Sequence, residues 1–264
     1  MLNILVCVKQ VPDVNLVKID PATGSLIRAG VPAILNPLDA NALEAAVQIK
    51  ERYGGTVSVI TMGPDQAAEA LRECLAAGAD RAILLSDRAF ANADTLATSY
   101  VIAKAAEMIG SFDLIFCGKE SLDGATGQMA SQLAERFDAS LLSSVKRVLS
   151  VNEREKVVMA EREYTNGTQT ACAIMPCLMT VEKTNYHPRI PNLKSWKASR
   201  KAEILRFDSR SIPGLDPAQI GDPGSPTKVP RTYPPVVGQR GRMLDEGSTE
   251  KTVEKLLGLL AEAR

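Results

Sequence analysis

The sequence predicts an α/β fold, a doubly wound parallel sheet with an added antiparallel sheet segment and an extended carboxyl-terminal arm. Three observations predict it. Up to about residue 145, short continuous apolar runs alternate with helical patterns. Beyond that point, apolar runs follow one another with only turns between them. From 213 to 235, periodicity gives way to Pro, Gly and Asp, and a structureless stretch of that length reads as an arm. The expected division is 1–190 for the α/β unit with its late antiparallel strands, and 191–264 for the arm and a terminal helix.

Residues 3–8 form the first apolar run, as expected of a strand buried on both faces. The stretch 14–35 interrupts the alternation. Its Asp20-Pro21-Ala22-Thr23-Gly24 reads as a hairpin turn between 17–19 and 26–28, and Asn36-Pro37 returns the chain to a helix. Asp39 is placed to cap that helix, whose face carries Ala42, Ala46, Ile49 and Tyr53 and which Gly54-Gly55 stops. After a strand at 57–62, Pro64 opens a helix with Ala67, Ala70, Leu71, Cys74 and Leu75, closed by Gly78. A strand at 82–85 follows. Asp94 then caps a helix bearing Ala97, Val101, Lys104, Ala105 and Met108, closed by Gly110.

The strand 113–117 passes into Cys117-Gly118-Lys119-Glu120-Ser121-Leu122-Asp123-Gly124-Ala125-Thr126-Gly127-Gln128-Met129. Small residues here let a ligand approach the backbone, and the free amides of the next helix's first turn favour an anion such as phosphate. That helix carries Met129, Leu133, Ala134 and Phe137. The stretch lacks the Lys-Ser/Thr of a P-loop and the three-glycine dinucleotide pattern, so an ordinary strand-to-helix connection stays open. Doubly wound sheets bind ligands at the carboxyl ends of their strands, which adds the loops at 7–11, 61–64 and 86–94 to the candidate site.

Segments 147–150, 157–161 and 168–175 read as antiparallel strands with turns at Asn152-Glu153 and Asn166-Gly167, and 178–182 as a further strand. The basic run Lys194, Lys197, Arg200 and Lys201 reads either as a charged tail or as a docking surface. Residues 248–263 are an amphipathic helix using Val253, Leu256, Leu257 and Leu260.

Composition narrows the function. Lys+Arg and Asp+Glu both total 31, which leaves no basic footprint for nucleic acid. The sole histidine, His187, argues against metal chemistry built on imidazoles. Cysteines 7, 74, 117, 172 and 177 show no CxxC spacing, and Cys7, Cys117 and Cys172 fall in apolar runs, so buried reduced thiols are expected. The first apolar run has no basic residues before it and is too short for a signal sequence or a membrane span. A cytoplasmic location is expected.

Val8-Lys9-Gln10-Val11-Pro12-Asp13, Asn36-Pro37, Thr61-Met62-Gly63-Pro64, the 117–129 stretch and Arg189-Ile190-Pro191-Asn192 occur in an order and spacing that resembles the β subunit of electron transfer flavoproteins. The likeness runs from about residue 2 to at least 230. It implies a Rossmann-like, adenine-nucleotide-binding unit in a heterodimer with an α subunit that carries FAD. The β subunit's own nucleotide is a structural AMP in one type and a redox-active FAD in the electron-bifurcating type. In the latter, NADH supplies electron pairs that divide between ferredoxin or flavodoxin and the α-subunit FAD.

Two features are similar to the FAD-containing type: a compact 118–128 loop, and Asp87-Arg88-Ala89-Phe90 followed by Asp94-Thr95-Leu96-Ala97-Thr98. Gly224-Ser225-Pro226-Thr227 is similar to that group's arm. Ser121 to Gly127 departs from the more usual Ala-Ile-Asp-Gly-Asp-Thr-Ala, and Thr165 stands where the family prefers an acid.

Carried over by position, the resemblance implies that Cys7 and Lys9 lie near the adenine, that Asn36, Leu38 and Asp39 close over the base, and that Met62 packs nearby. Asp123, Gly124, Ala125, Thr126, Gly127, Gln128 and Met129 would hold phosphates. Asp94, Thr95 and Thr98 would stand near the ribityl or pyrophosphate, although Asp94 also reads as a plain helix cap. No acid, base or nucleophile is required, because the chemistry would belong to the flavin; Arg88 or Lys9 could supply a positive donor. Ile190, flanked by Pro191 and Asn192, matches the apolar residue that docks an acyl-CoA or hydroxy-acid dehydrogenase. The resemblance also implies that the terminal helix docks on the α subunit.

Overall fold

A computed structural model of the chain describes residues 1–13, 18–19, 26–27, 32–183, 185–228, 241 and 243–262. In chain order its elements begin with β1 (Leu2–Cys7), β2 (Gln10–Pro12), β3 (Lys18–Ile19), β4 (Leu26–Ile27), β5 (Ala33–Leu35) and α1 (Pro37–Tyr53). Next come β6 (Gly55–Met62), α2 (Ala68–Ala76), β7 (Arg81–Leu85), α3 (Thr95–Ile109), β8 (Leu114–Gly118) and α4 (Met129–Arg136). The chain continues through β9 (Ser140–Asn152), β10 (Val157–Tyr164), β11 (Gly167–Ile174), β12 (Cys177–Val181), α5 (Leu193–Lys201), β13 (Leu205–Phe207) and α6 (Thr249–Glu262).

Among the described residues the main sheet has nine strands in the order β11-β10-β9-β12-β8-β1-β6-β7-β13. From β9 to β13 every neighbouring pair is parallel, while β9-β10 and β10-β11 are antiparallel. Successive residues of β1 face opposite sides, as the pleat requires. Ile4 and Val6 join Ala42, Ala46 and Leu71 in one core, and Leu5 and Cys7 join Val101, Ala105 and Leu133 in the other. Helices α1 and α2 therefore cover one face and α3 and α4 the other, the doubly wound arrangement that the alternation predicts.

Several elements differ from their sequence reading. Helix α1 begins at Pro37, so Asp39 sits inside its first turn and does not cap it. On α3, Tyr100, Val101, Ile102 and Ala105 are buried and Met108 is 40% exposed, because the sheet selects a face rotated from the expected one. Strand β9 starts at Ser140, well before 147. Its first half is too polar to read as a strand alone and is held by parallel pairing to β12. The antiparallel strands continue the parallel sheet, and β12 inserts between β8 and β9. Cys7, Cys74, Cys117 and Cys177 are buried free thiols, but Cys172 is exposed on the edge strand β11. Strands β3 and β4 pair antiparallel; the turn expected at 20–24 lies outside the described residues.

The basic run is helical. Asn192 caps α5 by accepting from the Ser195 amide at 2.9 Å, and Arg72 on α2 donates to the Ser199 carbonyl at 2.7 Å. Strand β13 then extends the sheet beyond β7. Ile212 and Ile220 are buried in the same core as Phe90 and Tyr100, and the Tyr100 hydroxyl accepts from the Asp216 amide at 3.0 Å. On α6, Val253, Leu256, Leu257 and Leu260 are exposed. No helix among the described residues is long and apolar enough to cross a membrane.

Candidate functional site

The chain runs outward from β1 to β6 and β7, then crosses to place β8 on the other side of β1. The sheet order reverses between β1 and β8, and the carboxyl ends of strands at such a reversal open into a crevice. Cys7 and Cys117 are register partners at the last turn of the pleat, so the loops beginning at Val8 and Gly118 leave the sheet side by side.

Two residues from the start of α1 tie these loops together. Asp39 accepts the Lys9 amide on Oδ2 at 2.8 Å and the Gly118 amide on Oδ1 at 3.0 Å. Burial pushes its carboxyl up to about 7, against hydrogen bonds from Lys9, Asn36 and Gly118 that pull the other way. Asn36 donates from Nδ2 to the Glu120 carbonyl at 2.9 Å, and its amide donates to the Lys9 carbonyl at 2.9 Å. Its side chain therefore holds the loop after β8 and makes no cap bond to α1. Leu38 is half-buried, its backbone against Gly118.

The loop after β8 is open. Residues 122–128 are all exposed, Ala125 and Gly127 have φ of 46° and 63°, and no side chain caps the first turn of α4. Lys9 Nζ reaches both Asp123 oxygens at 2.8 Å. Burial raises the Asp123 carboxyl, but bonds from Lys9 and Ser121 more than offset this and hold it below the usual range. On the far side, Thr95 Oγ1 donates to Gln128 Oε1 at 2.9 Å and accepts from Gln132 Nε2 at 3.2 Å. Met129 packs its half-buried side chain against the core under α4.

A cleft of about 310 Å³ extends from Lys9 along Gln10–Pro12 and Ala33 to Met62, Gly63, Pro64 and Gln66. The structure thus links Lys9, Asn36, Asp39 and Asp123 through hydrogen bonds between the loops after β1 and β8, and places Met62 with Lys9 on the lining of the cleft. Thr95 and Gln128 join at the rim. The thiol of Cys7 is buried, and Thr98 is half-buried on α3. Arg88 lies exposed in the single turn Arg88–Phe90.

Asp94 is a helix cap, with Oδ1 accepting the Leu96 and Ala97 amides at 2.9 and 3.1 Å. Oδ2 accepts the Thr227 amide at 3.0 Å, and the Asp94 amide donates to Ser225 Oγ at 2.8 Å, so the same residue fastens the late segment to the rim. Replacing Asp94 with alanine is expected to cost about 1 kcal/mol from the lost cap alone. Urea denaturation measures that loss, and faster proteolysis near Thr227 reports release of the segment.

A second surface lies at the other end of α1. Arg189 binds Glu44 through Nε at 2.8 Å and Glu51 through Nη1 at 2.5 Å, and Asn41 donates from its side chain to the Tyr186 carbonyl. This leaves Ile190 95% exposed beside Pro191, with Leu193 and Trp196 exposed after Asn192.

The family model described as electron transfer flavoprotein domain matches residues 23–211. The electron transfer flavoprotein subunit beta of Thermoanaerobacterium thermosaccharolyticum is 43% identical over 257 residues, covering 97% of this chain and 96% of that protein. The chain belongs to the electron transfer flavoprotein family, among its β subunits.

The caffeyl-CoA reductase-Etf complex subunit CarD of Acetobacterium woodii is 42% identical over 262 residues, 99% of this chain and 98% of its own length. Protein FixA of Azotobacter vinelandii is 42% identical over 235 residues, 88% of this chain and 83% of its own. As an electron transfer flavoprotein β subunit, the chain serves electron transfer and implies an α-subunit partner.

Sequence reasoning passed over Glu44 and Glu51 on α1, and it took Ser225 and Thr227 only as part of the arm, without their contact with Asp94, which spans more than a hundred residues. It also missed that Gly118 must be small: a Cβ there would lie 2.5 Å from Asp39 Oδ1.

Proposed function

We propose that this β subunit holds FAD in the crevice at the β1–β8 reversal and passes electrons between NADH, a low-potential acceptor such as ferredoxin or flavodoxin, and the α-subunit FAD. The observation that carries the nucleotide part is that Lys9 and Asp39 tie the loop after β1 to the loop after β8, whose residues 122–128 stand exposed. That donor set suits a dinucleotide. The backbone of Gly124 to Gly127 and the uncapped start of α4 would take phosphates, and Met62, Val11 and Pro12 offer an apolar slot for a base. FAD, when bound, supplies the one- and two-electron chemistry. The residues' own work is to bind and orient. Lys9 is neutralised by Asp123, and Thr95 with Gln128 fixes the helix that faces the phosphates.

The location of the subunit follows its proposed cytoplasmic partners. Ile190, Pro191 and Asn192 form the docking point for an acyl-CoA or hydroxy-acid dehydrogenase. The near full-length likeness to a subunit of a caffeyl-CoA reductase complex supports a thioester-handling partner, and the exposed apolar side of α6 is the surface offered to the α subunit.

A second reading has one observation in its favour: a cleft of about 310 Å³ stands at the small end of ligand pockets and suits AMP alone. The heterodimer's visible spectrum separates the two. Two flavins per heterodimer are expected; one flavin with AMP released on denaturation would overturn the FAD assignment. Replacing Thr126 and Gly127 with arginine and valine is expected to empty the β site by at least tenfold while the α-subunit flavin stays. Full occupancy of both sites in that variant would show that the phosphates bind elsewhere.

A further inference from the structure

We propose that Asp39 is the positioning residue of the crevice: its carboxylate, by accepting the Lys9 and Gly118 amides, clamps the chain where it leaves β1 and β8 and so orients the two loops that would hold the nucleotide. The inference rests on the nucleotide reading above and gives Asp39 a role in it that acts through the backbone of two loops.

The geometry is unusual for a helix aspartate. A capping carboxylate turns back on its own helix, whereas Asp39 sits in the first turn of α1 and spends both oxygens on two other elements. One oxygen holds the amide that opens the loop after β1, and the other holds the amide that ends β8. Asn36 reinforces the same closure from one turn earlier. The absence of a side chain at Gly118 is what admits the carboxylate, since any Cβ would overlap Oδ1.

The clamp is buried and therefore titrates unusually. Its carboxyl is raised to about 7, with desolvation as the leading cause. The charged and titratable groups around it are few. Lys9 on the β1 loop is the positive neighbour, already paired with Asp123. Cys117 on β8, its thiol pushed up by a hydrogen bond with Cys7 on β1 and by burial, and Cys74 from α2, pushed up by burial, complete the surroundings. Protonation places a hydrogen on one oxygen, so that oxygen becomes a poor acceptor for its amide. In the unfolded chain the group titrates near 3.9. Between about pH 4 and 7 the folded chain therefore binds a proton that the unfolded chain does not, and acidification favours the fold while loosening the clamp.

The test titrates the cofactor-stripped heterodimer with FAD, and separately with AMP, at pH 8 and 6, for the wild type and Asp39→Asn. If only the carboxylate form is competent, the wild-type dissociation constant rises about tenfold on acidification, the ratio of carboxylate populations for a group titrating near 7. The Asn variant binds more weakly at pH 8 and loses this pH dependence. A variant profile parallel to the wild type would overturn the inference.

Amide hydrogen exchange on the wild type gives a reading that needs neither a variant nor a nucleotide. Protection of the Lys9 and Gly118 amides, corrected for intrinsic rates, should fall severalfold from pH 8 to 6. The Val8 amide, which donates to the Ile60 carbonyl, should not change. Equal behaviour of all three amides would overturn the clamp. If the amides respond but neither nucleotide binds at either pH, the clamp stands and the nucleotide reading fails.

Discussion

Replacing Gly118 with alanine is expected to destabilise the chain by about 3 kcal/mol and to strip the nucleotide proposed for this subunit. The added Cβ would lie 2.5 Å from Asp39 Oδ1, 2.7 Å from the Leu38 carbonyl carbon and 2.8 Å from the Asp39 amide nitrogen. Two of those atoms are backbone at the start of α1, so no rotamer change relieves the overlap. Overpacking a well-filled site costs about 1–3 kcal/mol, and a rigid neighbour places this case at the upper end. The chain must either push α1 away from β8 or swing the Gly118 amide off Asp39, and both open the crevice. Urea denaturation with an unchanged m-value would measure the loss as a stability effect. A cost below about 1 kcal/mol with full nucleotide content would mean that α1 and β8 have room the structure does not show.

Replacing Arg189 with methionine is expected to cost about 2 kcal/mol. Glu44 is buried, and without the guanidinium its carboxylate is left facing Arg189's former place with no cation. A fully buried pair loses about 3–5 kcal/mol when one partner is removed. Arg189 is 32% exposed, so solvent recovers part of that. Adding Glu44→Gln to the variant should restore much of the stability, because a neutral amide tolerates the site better than a lone charge.

The pH dependence has a definite sign. Hydrogen bonding from Arg189 lowers the Glu51 carboxyl below its ordinary value. The stability this pairing gives is present above the unfolded value, about 4.3, and is lost as pH falls through the lower folded value. The penalty of the Arg189 variant should therefore shrink in acid. The same substitution frees the loop that presents Ile190, and weaker capture of the dehydrogenase proposed as partner, at unchanged flavin content, is the expected functional result.

Much of the fold was legible because burial writes itself into the sequence. The runs at 3–8, 57–62, 82–85 and 114–117 are predominantly apolar, as expected of strands covered on both faces, and they became β1, β6, β7 and β8. The Asp94 cap was legible for a similar reason, because capping is local and needs only its own helix. The 117–129 stretch announced itself by its small residues, and in the structure its residues 122–128 are exposed. Asp39 was misread as a cap for the same local reason: nothing in the neighbouring sequence reveals a carboxylate committed to two distant strands. The helix at Leu193–Lys201 was hidden because it has no buried apolar face to read: Leu193, Trp196 and Ala198 are exposed, and α2 meets it through Arg72 on the Ser199 carbonyl and Glu69 on Arg200.

The sequence by itself determined the α/β alternation and the family, since each depends on residue type along a short stretch or on the order of short stretches. Only the tertiary structure decided that β12 enters between β8 and β9, that Arg189 is pinned by Glu44 and Glu51, and that one carboxylate joins the ends of β1 and β8. These are contacts between residues 30 to 145 positions apart. Their energy comes from desolvation and hydrogen-bond geometry, which exist only once the chain has closed around them.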